Sequence, residues 1–441
     1  MELINGATES VYSNINSISS FIDKKIKVKG IVHKIRSMSG FAFIILRTDR
    51  DLVQCVYSPD QAMFSLENIR EGDAVVLEGI VIRDDRSKIG YEIKLLNAEK
   101  KSSAVEEFPV TINQKLLNLP IDTNLAFRPL TLRHPMERAI FKIQEGIVRG
   151  FRDFLRSKYF TEIHTPKIVA SGAEGGANIF ELDYFGKKAY LAQSPQFYKQ
   201  TMVGVFERVF EVAPVFRAEK HGTTRHLNEY ISLDFEMGFI EDFRDIMEME
   251  TAMLQHIFRL LNEEYLQEIK MFNVQLPQVE SIPAISFYEA KRILFDRYKI
   301  VDSECEDLSP EDERVLGNFA KEEYGSDFIF VTHFPSIKRP FYTMDDKENE
   351  NQTLSFDLLY KGVEITTGGQ RIHNYEEQVA KMVRKGLKVE DFESYLMIHK
   401  FGIPPHGGLG LGLERLTMNI LDLKNVRLGS LFPRDINRLI P

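Results

Sequence analysis

Several features of other protein classes are missing from this 441-residue chain. It has only two cysteines, Cys55 and Cys305, which lie far apart and without Cys-x-x-Cys spacing. This excludes a disulfide framework and a cysteine-ligated zinc site, and it is typical of the reducing cytosol. A membrane-spanning helix needs a run of about eighteen apolar residues, and no run in this chain approaches that length. Residues 1–20 lack the pattern of a secretory signal. We therefore expect a cytoplasmic protein without a membrane segment.

An excess of basic residues is also missing, since the formal net charge is −9 at pH 7. Proteins that coat nucleic acid usually carry a basic surface, so this charge argues against that class. The acidic excess lies after residue 100, because the first hundred residues carry equal numbers of acidic and basic side chains. A neutral N-terminal module on an acidic body can still bind RNA through a local patch.

The first hundred residues have the pattern of a small β-barrel. Short runs in which polar and apolar residues alternate cover 25–32, 41–47, 52–57, 74–82 and 91–96. Such alternation predicts half-buried strands. Five short strands without a long helix favour a barrel of the oligonucleotide-binding type (OB-fold) over residues 1–103. Another small β-barrel or a β-sandwich would fit the same pattern.

The rest of the chain has a different character. Three X-Pro pairs punctuate residues 104–132, which predicts a hinge or linker. A helix with an apolar stripe is predicted over 135–159, and this stripe indicates core or subunit interface. Within 133–441 the pattern is mixed, with an acidic, helical insertion around 242–330. The predicted strands with the clearest chemical signals are 208–217, 230–239, 355–359 and 363–365.

An arginine-bearing segment follows the strand at 208–217. Arg217 and Glu219 come at its end, and Arg225 and His226 come after a short polar turn. A guanidinium on a rigid strand can grip an α-phosphate and stabilise the charge that gathers there. Glu219 could accept the adenine amino hydrogens, and the later pair could reach the outer phosphates. A charged hairpin with surface ion pairs is the alternative.

A second segment, 407–415, alternates glycine with leucine and ends in Arg415. Glycine has no side chain, so the backbone can approach a ligand closely. An arginine can stack on a base. The two segments together, in this order, predict activation by ATP.

Two acidic residues are placed for a metal ion. Asp357 and Glu364 flank a predicted turn, so a hairpin would bring both carboxylates close together at one site. Oxygen ligands of this kind can share Mg²⁺ with ATP phosphates, and Thr367 adds a hydroxyl. Two carboxylates on a hairpin are often merely solvated, so a metal site depends on the residues around them.

Candidate ligands for a small substrate lie near these carboxylates. Arg371 follows two glycines and offers a planar fork for a carboxylate. Gln196 and Lys199 lie together upstream, and Glu174 sits in a glycine-flanked loop that could close over an ammonium group. Asp234 is a second candidate for that ammonium.

These segments resemble the three motifs of the class II aminoacyl-tRNA synthetases. Residues 161–166 resemble motif 1, the Arg217 segment motif 2, and the segment ending in Arg415 motif 3. Residues 193–196, 366–373 and 432–435 are similar to aspartyl-tRNA synthetases of the archaeal and eukaryotic type. The resemblance covers nearly the whole chain. It implies an α+β protein, with an OB-fold anticodon-binding domain, a hinge, and a catalytic domain whose antiparallel β-sheet is flanked by helices.

The resemblance implies ATP-dependent activation of L-aspartate and its transfer to the 3′ end of tRNA-Asp, in a homodimer formed around Pro166. Lys199, Arg217 and Arg371 would be catalytic. The implied aspartate ligands are Glu174, Gln196, Lys199, Asp234 and Arg371. The implied ATP ligands are Arg217, Glu219, Arg225, His226, Leu227, Glu364, Gly412 and Arg415, with Asp357, Glu364 and Thr367 holding Mg²⁺.

The nearest alternative is asparaginyl-tRNA synthetase, which shares these motifs. Lys199 and Arg371 would surround a side-chain carboxylate with two cations, whereas an amide would leave charged groups unpaired. Aspartate is therefore favoured. A synthetase-like protein that charges no tRNA is a further alternative. The N-terminal barrel argues against an isolated asparagine-forming domain, and the intact site residues argue against an inactive paralogue.

By resemblance, the barrel reads the anticodon. Phe43 would be a stacking platform, Gln54 an edge reader and Arg36 a further contact, although Phe43 could instead belong to the barrel core. His33 resembles members that also charge tRNA-Asn, whereas Lys88 resembles the strict members. The choice between one and two tRNA acceptors is left open.

Overall fold

The computed structural model describes residues 18, 20–48, 52–87, 89–170, 178–220, 222–300 and 306–441. The chain divides into two compact units, Met1–Pro135 and Met136–Pro441. Separate hydrophobic cores fill the two units. The predicted three-part division with a hinge at 104–132 stays a prediction.

The first unit contains a closed five-stranded barrel. Its strands are Lys25–Ser37 (β1), Ala42–Arg47 (β2), Leu52–Tyr57 (β3), Ala74–Arg83 (β4) and Tyr91–Ser102 (β5). They close in the order β1-β2-β3-β5-β4, and only β3 and β5 pair in parallel. The predicted barrel is confirmed, with β1 and β5 extending well beyond their predicted ends.

The predicted hinge contains two short helices, Ile121–Ala126 (α1) and Arg128–Thr131 (α2). Pro120 is the residue before α1, and Pro129 lies in the first turn of α2. Proline has no N–H to lose at a helix start, and its φ already suits the helix. These prolines therefore begin helices where the sequence pattern predicted only a linker.

The second unit is an α+β domain. Its helices are Pro135–Ser157 (α3), Gln196–Phe206 (α4), Arg244–Glu264 (α5), Leu266–Phe272 (α6), Phe287–Tyr298 (α7), Pro310–Tyr324 (α8), Tyr375–Arg384 (α9), Glu393–Phe401 (α10) and Leu413–Ile420 (α11). Its strands are Thr161–Glu162 (β6), Ile168–Val169 (β7), Glu181–Tyr184 (β8), Lys187–Leu191 (β9), Arg208–Phe216 (β10), Glu229–Gly238 (β11), Ala284–Ser286 (β12), Phe328–Thr332 (β13), Ser355–Tyr360 (β14), Val363–Arg371 (β15) and His406–Gly412 (β16).

Eight of these strands form one sheet in the order β12-β13-β14-β15-β16-β11-β10-β6. The outermost pairs, β12 with β13 and β6 with β10, are parallel, and the inner pairs are antiparallel. The predicted antiparallel sheet is therefore found with a parallel pair at each edge. The glycine-rich segment forms β16, at the centre of the sheet.

The main core joins the sheet to α3 and α5. It includes Phe151 from α3, Leu254 from α5, and Phe235 and Leu409 from central strands. The apolar stripe predicted on α3 is confirmed as core. These helices therefore hold the strands that carry the candidate site in a common core.

The predicted helical insertion holds helices α5–α8 and also the strands β12 and β13. Every residue of β13 is buried, since Phe328 and Phe330 pack into one core and Ile329 and Val331 into another. A strand covered on both faces lacks the polar alternation that marks a half-buried strand. Among the described residues, none of the helices is both long and apolar enough to span a bilayer.

Candidate active site

The central strands of the second unit border a cavity of about 570 Å³, a size typical of small-molecule sites. Its wall includes every predicted ligand of the second unit that the structure describes. These are Gln196, Lys199, Arg217, Glu219, Arg225, His226, Leu227, Asp234, Asp357, Glu364, Thr367, Arg371, Gly412 and Arg415. Glu174 lies outside the described residues. The individual roles of these residues stay predictions.

Four buried charged side chains form a cluster, of which Lys199, Asp234 and Arg371 line the cavity and Glu236 does not. Lys199 Nζ lies 2.9 Å from Asp234 Oδ1 and 3.3 Å from Glu236 Oε2. Arg371 Nε lies 2.9 Å from Glu236 Oε1. Burial acts to raise the pKa of Glu236, but Arg371 and Lys199 outweigh burial and hold that pKa below its ordinary value. The cluster therefore contains two cations and two anions.

The two predicted cations, Lys199 and Arg371, lie together in this cluster. Each cation has a protein carboxylate beside it, because two buried cations without counter-charges would be strongly destabilising. Arg371 donates from Nε to Glu236 and from Nη2 to Gly408 O at 2.9 Å. Its Nη1 makes no hydrogen bond to the residues that the structure describes, so this group is left for a ligand.

The glycines of β16 make room for the two carboxylates of the cluster. A Cβ on Gly408 would lie 2.2 Å from Glu236 Oε2, and one on Gly410 would lie 3.1 Å from Asp234 Oδ1. Glycine is required at position 408 because a side chain there would collide with the carboxylate of Glu236. The sequence predicted instead that glycine would allow a ligand to approach the backbone. Gly412 lines the cavity, and close approach there stays a prediction.

The segment with Arg217 and Glu219 is held in place by Asn228, just before β11. Asn228 Nδ2 donates to Arg217 O at 2.7 Å and to Glu219 O at 3.2 Å. Arg217 N donates to Asn228 O at 2.9 Å. The guanidinium of Arg217 lies over Tyr230, 5.9 Å from the ring centroid. Sequence reasoning missed Asn228, although an amide beside a turn is a common backbone anchor.

Arg415 connects Arg225 with the strand that carries Glu364. Its Nε donates to Arg225 O at 3.2 Å and its Nη1 to Glu364 O at 2.9 Å. Arg225 Nη1 donates to Glu313 Oε2 at 3.1 Å. Burial and the carboxylate of Glu364 raise the pKa of Glu313 to about 7. The inserted helix α8 therefore contributes a contact to the site that the sequence did not indicate.

Asp357, Glu364 and Thr367 meet on the paired strands β14 and β15. Asp357 lies opposite Thr367, whose Oγ1 donates to Glu364 Oε1 at 3.0 Å. Arg339 Nη2 donates to Asp357 Oδ2 at 2.7 Å. Asp357 Oδ1 is buried and has no hydrogen-bond partner among the described residues. Burial raises the pKa of Asp357 to about 6, although Arg339 opposes the shift.

On the barrel, the predicted anticodon ligands lie on the outer face of adjacent strands. Arg36 pairs with Phe43, and Gln54 lies one diagonal step away on β3. Phe43 lies outside the core of the described barrel residues, so the alternative of a core phenylalanine is wrong. It makes an edge-to-face contact with Phe41, with ring centroids 5.2 Å apart. Gln54 Nε2 donates to Glu92 Oε2 at 3.2 Å.

Of the two residues that bear on tRNA choice, the structure describes only His33, which does not lie on this exposed face. His33 is buried, and burial together with the nearby charge of Arg47 lowers its pKa to about 4. Lys88 lies outside the described residues. The two alternatives, charging of tRNA-Asp alone or of both tRNA-Asp and tRNA-Asn, stay predictions.

The backbone around Pro166 is tied to β10. Thr165 donates from N and from Oγ1 to the carboxylate of Glu211, both at 2.7 Å. Lys167 Nζ lies 3.0 Å from the same carboxylate. Pro166 itself is exposed. The predicted dimer contact here stays a prediction.

Comparison with known proteins identifies both parts of the chain. Residues 120–436 match the family "tRNA synthetases class II (D, K and N)", and residues 26–100 match "OB-fold nucleic acid binding domain". "Aspartate--tRNA(Asp/Asn) ligase" of Thermus thermophilus is 44% identical over 430 residues, covering 97% of this chain and 99% of the relative. "Aspartate--tRNA(Asp) ligase" of Pyrococcus horikoshii is 40% identical, covering 95% and 96%.

Solved structures share the fold over the whole chain. Asparaginyl-tRNA synthetase from Pyrococcus horikoshii, complexed with asparaginyl-adenylate, aligns with a TM-score of 0.90 and 31% identity, covering 99% of this chain and 100% of that chain. A putative aspartyl-tRNA synthetase from Leishmania major aligns with a TM-score of 0.85 and 29% identity, covering 100% and 97%. The chain belongs to the class II aminoacyl-tRNA synthetases of the D, K and N group.

Proposed function

We propose that this chain activates L-aspartate with ATP and transfers it to the 3′ end of tRNA-Asp. The observation that carries the proposal is the meeting in one cavity of the Lys199–Arg371 cluster with the two arginines predicted to bind ATP, Arg217 and Arg415. Relatives named as aspartate ligases, at 40% to 44% identity over nearly their full length, support the choice of amino acid.

Arg371 is the proposed partner of the aspartate side chain. A carboxylate oxygen can accept a charge-assisted hydrogen bond from its Nη1, in a wall where the guanidinium is already oriented by Glu236 and Gly408. The side chain of asparagine has only one acceptor oxygen, so its NH₂ group would face N–H donors of the site and leave them buried and unpaired. Lys199 adds a second positive charge to the cluster. Asp234 and Gln196 are the proposed acceptors for the α-ammonium group, with Glu174 closing over it.

The proposed first step joins an oxygen of the aspartate α-carboxylate to the α-phosphorus of ATP. The bond to the bridging oxygen breaks, and pyrophosphate leaves. Arg217 would stabilise the charge gathering on the α-phosphate, while Arg225 and His226 hold the outer phosphates. Glu219 would accept from the adenine amino group, and Arg415 would stack on the base. No protein nucleophile takes part, so positioning and electrostatics supply the rate.

In the second step, the terminal ribose hydroxyl of the tRNA attacks the acyl carbon. An ester bond forms, the bond from the acyl carbon to the phosphate oxygen breaks, and AMP leaves with the bond electrons. The hydroxyl proton passes to the departing phosphate or to water.

Mg²⁺ is the proposed partner of the ATP phosphates. Asp357 fits this ion, because its Oδ1 is buried without a hydrogen-bond partner among the described residues and lies near a second carboxylate, Glu364. Thr367 orients that second carboxylate. Groups of three or more His, Cys, Asp or Glu suited to a metal are absent from the described residues, so phosphate oxygens and water would complete the shell. The bound ion would neutralise phosphate charge.

ATP–pyrophosphate exchange by the purified protein tests the function directly. We expect exchange that requires aspartate and Mg²⁺, with at least about 10³-fold lower efficiency for asparagine, because a site built for one polar group rejects its analogue strongly. Charging of tRNA-Asp and tRNA-Asn transcripts then measures the acceptor range. Exchange with asparagine alone would identify an asparaginyl enzyme, and no exchange with either amino acid would contradict the proposal.

The barrel is the proposed anticodon-binding surface, through the outward ring of Phe43. Phe43→Ala is expected to raise the KM for tRNA by about 5- to 150-fold, since base stacking on an aromatic is worth about 1–3 kcal/mol. Aspartate-dependent pyrophosphate exchange should stay unchanged. Phe185→Ala, at an aromatic that is 91% exposed in the other unit, is the matched control. Equal tRNA KM values for Phe43→Ala and this control would reject the role.

We also propose that the chain acts as a homodimer in the cytoplasm. The exposed Pro166, on a backbone pinned to Glu211, supports a contact at this place. Cys55 is a buried free thiol, which suits a reducing compartment.

A further inference from the structure

A row of buried polar side chains runs from Gln196 in the cavity wall to His406. Gln196 and Gln200 lie one turn apart on α4 and so share a face of the helix. Gln196 Nε2 donates to Gln200 Oε1 at 3.0 Å, and Gln200 Nε2 lies 3.0 Å from His406 Nε2. His406 Nδ1 lies 2.9 Å from Pro404 O. Gln200 and His406 are fully buried, and Gln196 is 4% exposed.

The direction of each hydrogen bond follows from the His406 end of the row. Pro404 O can only accept, so Nδ1 of His406 carries a proton. Burial lowers the pKa of His406 to about 4 even though Glu236 opposes this shift, so the imidazole is neutral at physiological pH. Its Nε2 is therefore an acceptor. Gln200 must donate to it from Nε2, and this turns Gln200 Oε1 toward Gln196.

The orientation of Gln200 determines that of Gln196. Because Gln200 presents an acceptor, the Gln196 amide donates its N–H to Gln200, and its own Oε1 is left for the cavity. The reversed amide would place NH₂ in the cavity, where it would repel a cationic group. The hydroxyl of Tyr395 lies between two amide oxygens, 3.3 Å from Gln200 Oε1 and 3.2 Å from Gln378 Oε1, so its single proton is shared and the orientation of Gln200 depends on His406.

We propose that Gln200 and His406 are positioning residues that hold the Gln196 amide with its carbonyl oxygen toward the cavity, where it accepts a hydrogen bond from the α-ammonium group of the substrate. This inference rests on the proposed activation of an amino acid. It assigns a specificity role to two side chains that do not themselves contact the substrate.

Substitution of Gln200 tests the proposal through two ligands that differ only in the ammonium group. Gln200→Met removes both the donor to His406 and the acceptor for Gln196, so the Gln196 amide is no longer held. We expect the aspartate KM in pyrophosphate exchange to rise about tenfold, the loss expected for a hydrogen bond to a charged group. The inhibition constant of succinate, which lacks the ammonium, and the KM for ATP should change less than about twofold.

Two further variants separate amide orientation from general damage. Gln200→Glu keeps an acceptor opposite Gln196 Nε2, and a proton taken up on His406 Nε2 replaces the lost donor. Its aspartate KM is expected to stay within about threefold of wild type. Tyr395→Phe removes a buried hydroxyl that lies beside Oε1 of both Gln200 and Gln378, without reversing the Gln200 or Gln196 amide. Its aspartate KM should stay within about twofold of wild type.

The outcomes are distinct. Equal weakening of aspartate and succinate binding in Gln200→Met would overturn the proposal, and so would a Gln200→Glu enzyme as impaired as Gln200→Met. ¹⁵N NMR of histidine-labelled protein, assigned with His406→Asn, should show the Nδ1–H tautomer for His406 without any ligand. The Nε2–H tautomer would overturn the inference whatever the substrate. Absence of aspartate-dependent exchange in the wild type would instead contradict the proposed function.

Discussion

Arg217→Ala is expected to lower the rate of aspartate-dependent pyrophosphate exchange by about 10²- to 10³-fold, the loss typical for one donor to a developing oxyanion. The guanidinium is proposed to interact with the α-phosphate most strongly when negative charge gathers there. Aspartate is proposed to bind at the separate Lys199–Arg371 cluster, so its affinity should change less than about twofold. Exchange kinetics and calorimetric titration of aspartate measure the two effects.

The control for this variant is Arg244→Ala, because Arg244 is an exposed arginine that pairs with Asp242 next to α5. Loss of an exposed ion pair should leave both measurements near wild type. A parallel fall in exchange rate and aspartate affinity in Arg217→Ala would contradict the assigned role. Such a result would indicate that Arg217 supports the whole cavity and does not act on the phosphate.

The positions of site residues could be predicted from the sequence where a pattern among neighbouring residues determines the local structure. Arg217 and Glu219 follow an apolar run that ends at a polar turn, and this run forms β10. Asp357 and Glu364 flank a turn, and the hairpin brings them together. The five barrel strands alternate because one face of each packs inward. In each case, neighbours in the chain determine the structure.

Residues whose partners come from distant strands could not be predicted in the same way. Glu236 lies two positions after Asp234, so strand geometry places both on one face of β11. Its pairing with Arg371 depends on β16 lying between β11 and β15. That strand is rich in glycine and lacks the β-branched residues that mark a strand. Arg339 and Glu313 were missed because only the tertiary fold brings them to the carboxylate pair.

Glu250→Gln is expected to remove one distinct share of the pH dependence of stability of the second unit. Glu250 lies on α5, is fully buried, and has no hydrogen-bond partner for either carboxyl oxygen among the described residues. Burial raises its pKa to about 8. Between its ordinary pKa and this raised value the folded state binds the extra proton, so stability falls as pH rises. The loss reaches at most about 5 kcal/mol above pH 8.

Glutamine has the same shape and no proton to lose, so the variant should match wild type within about 1 kcal/mol at pH 5 and exceed it by several kcal/mol at pH 8.5. The chain has no tryptophan, so urea unfolding is best followed by circular dichroism. Glu248→Gln, at an exposed position on the same helix, is the matched control and should keep the wild-type pH dependence. Burial also raises the pKa of Glu414 to about 8, of Glu313 to about 7 and of Asp357 to about 6, so a decline in stability from these groups should persist in Glu250→Gln. If wild type and Glu250→Gln lose stability in parallel from pH 5 to 8.5, Glu250 is not the buried acid that titrates.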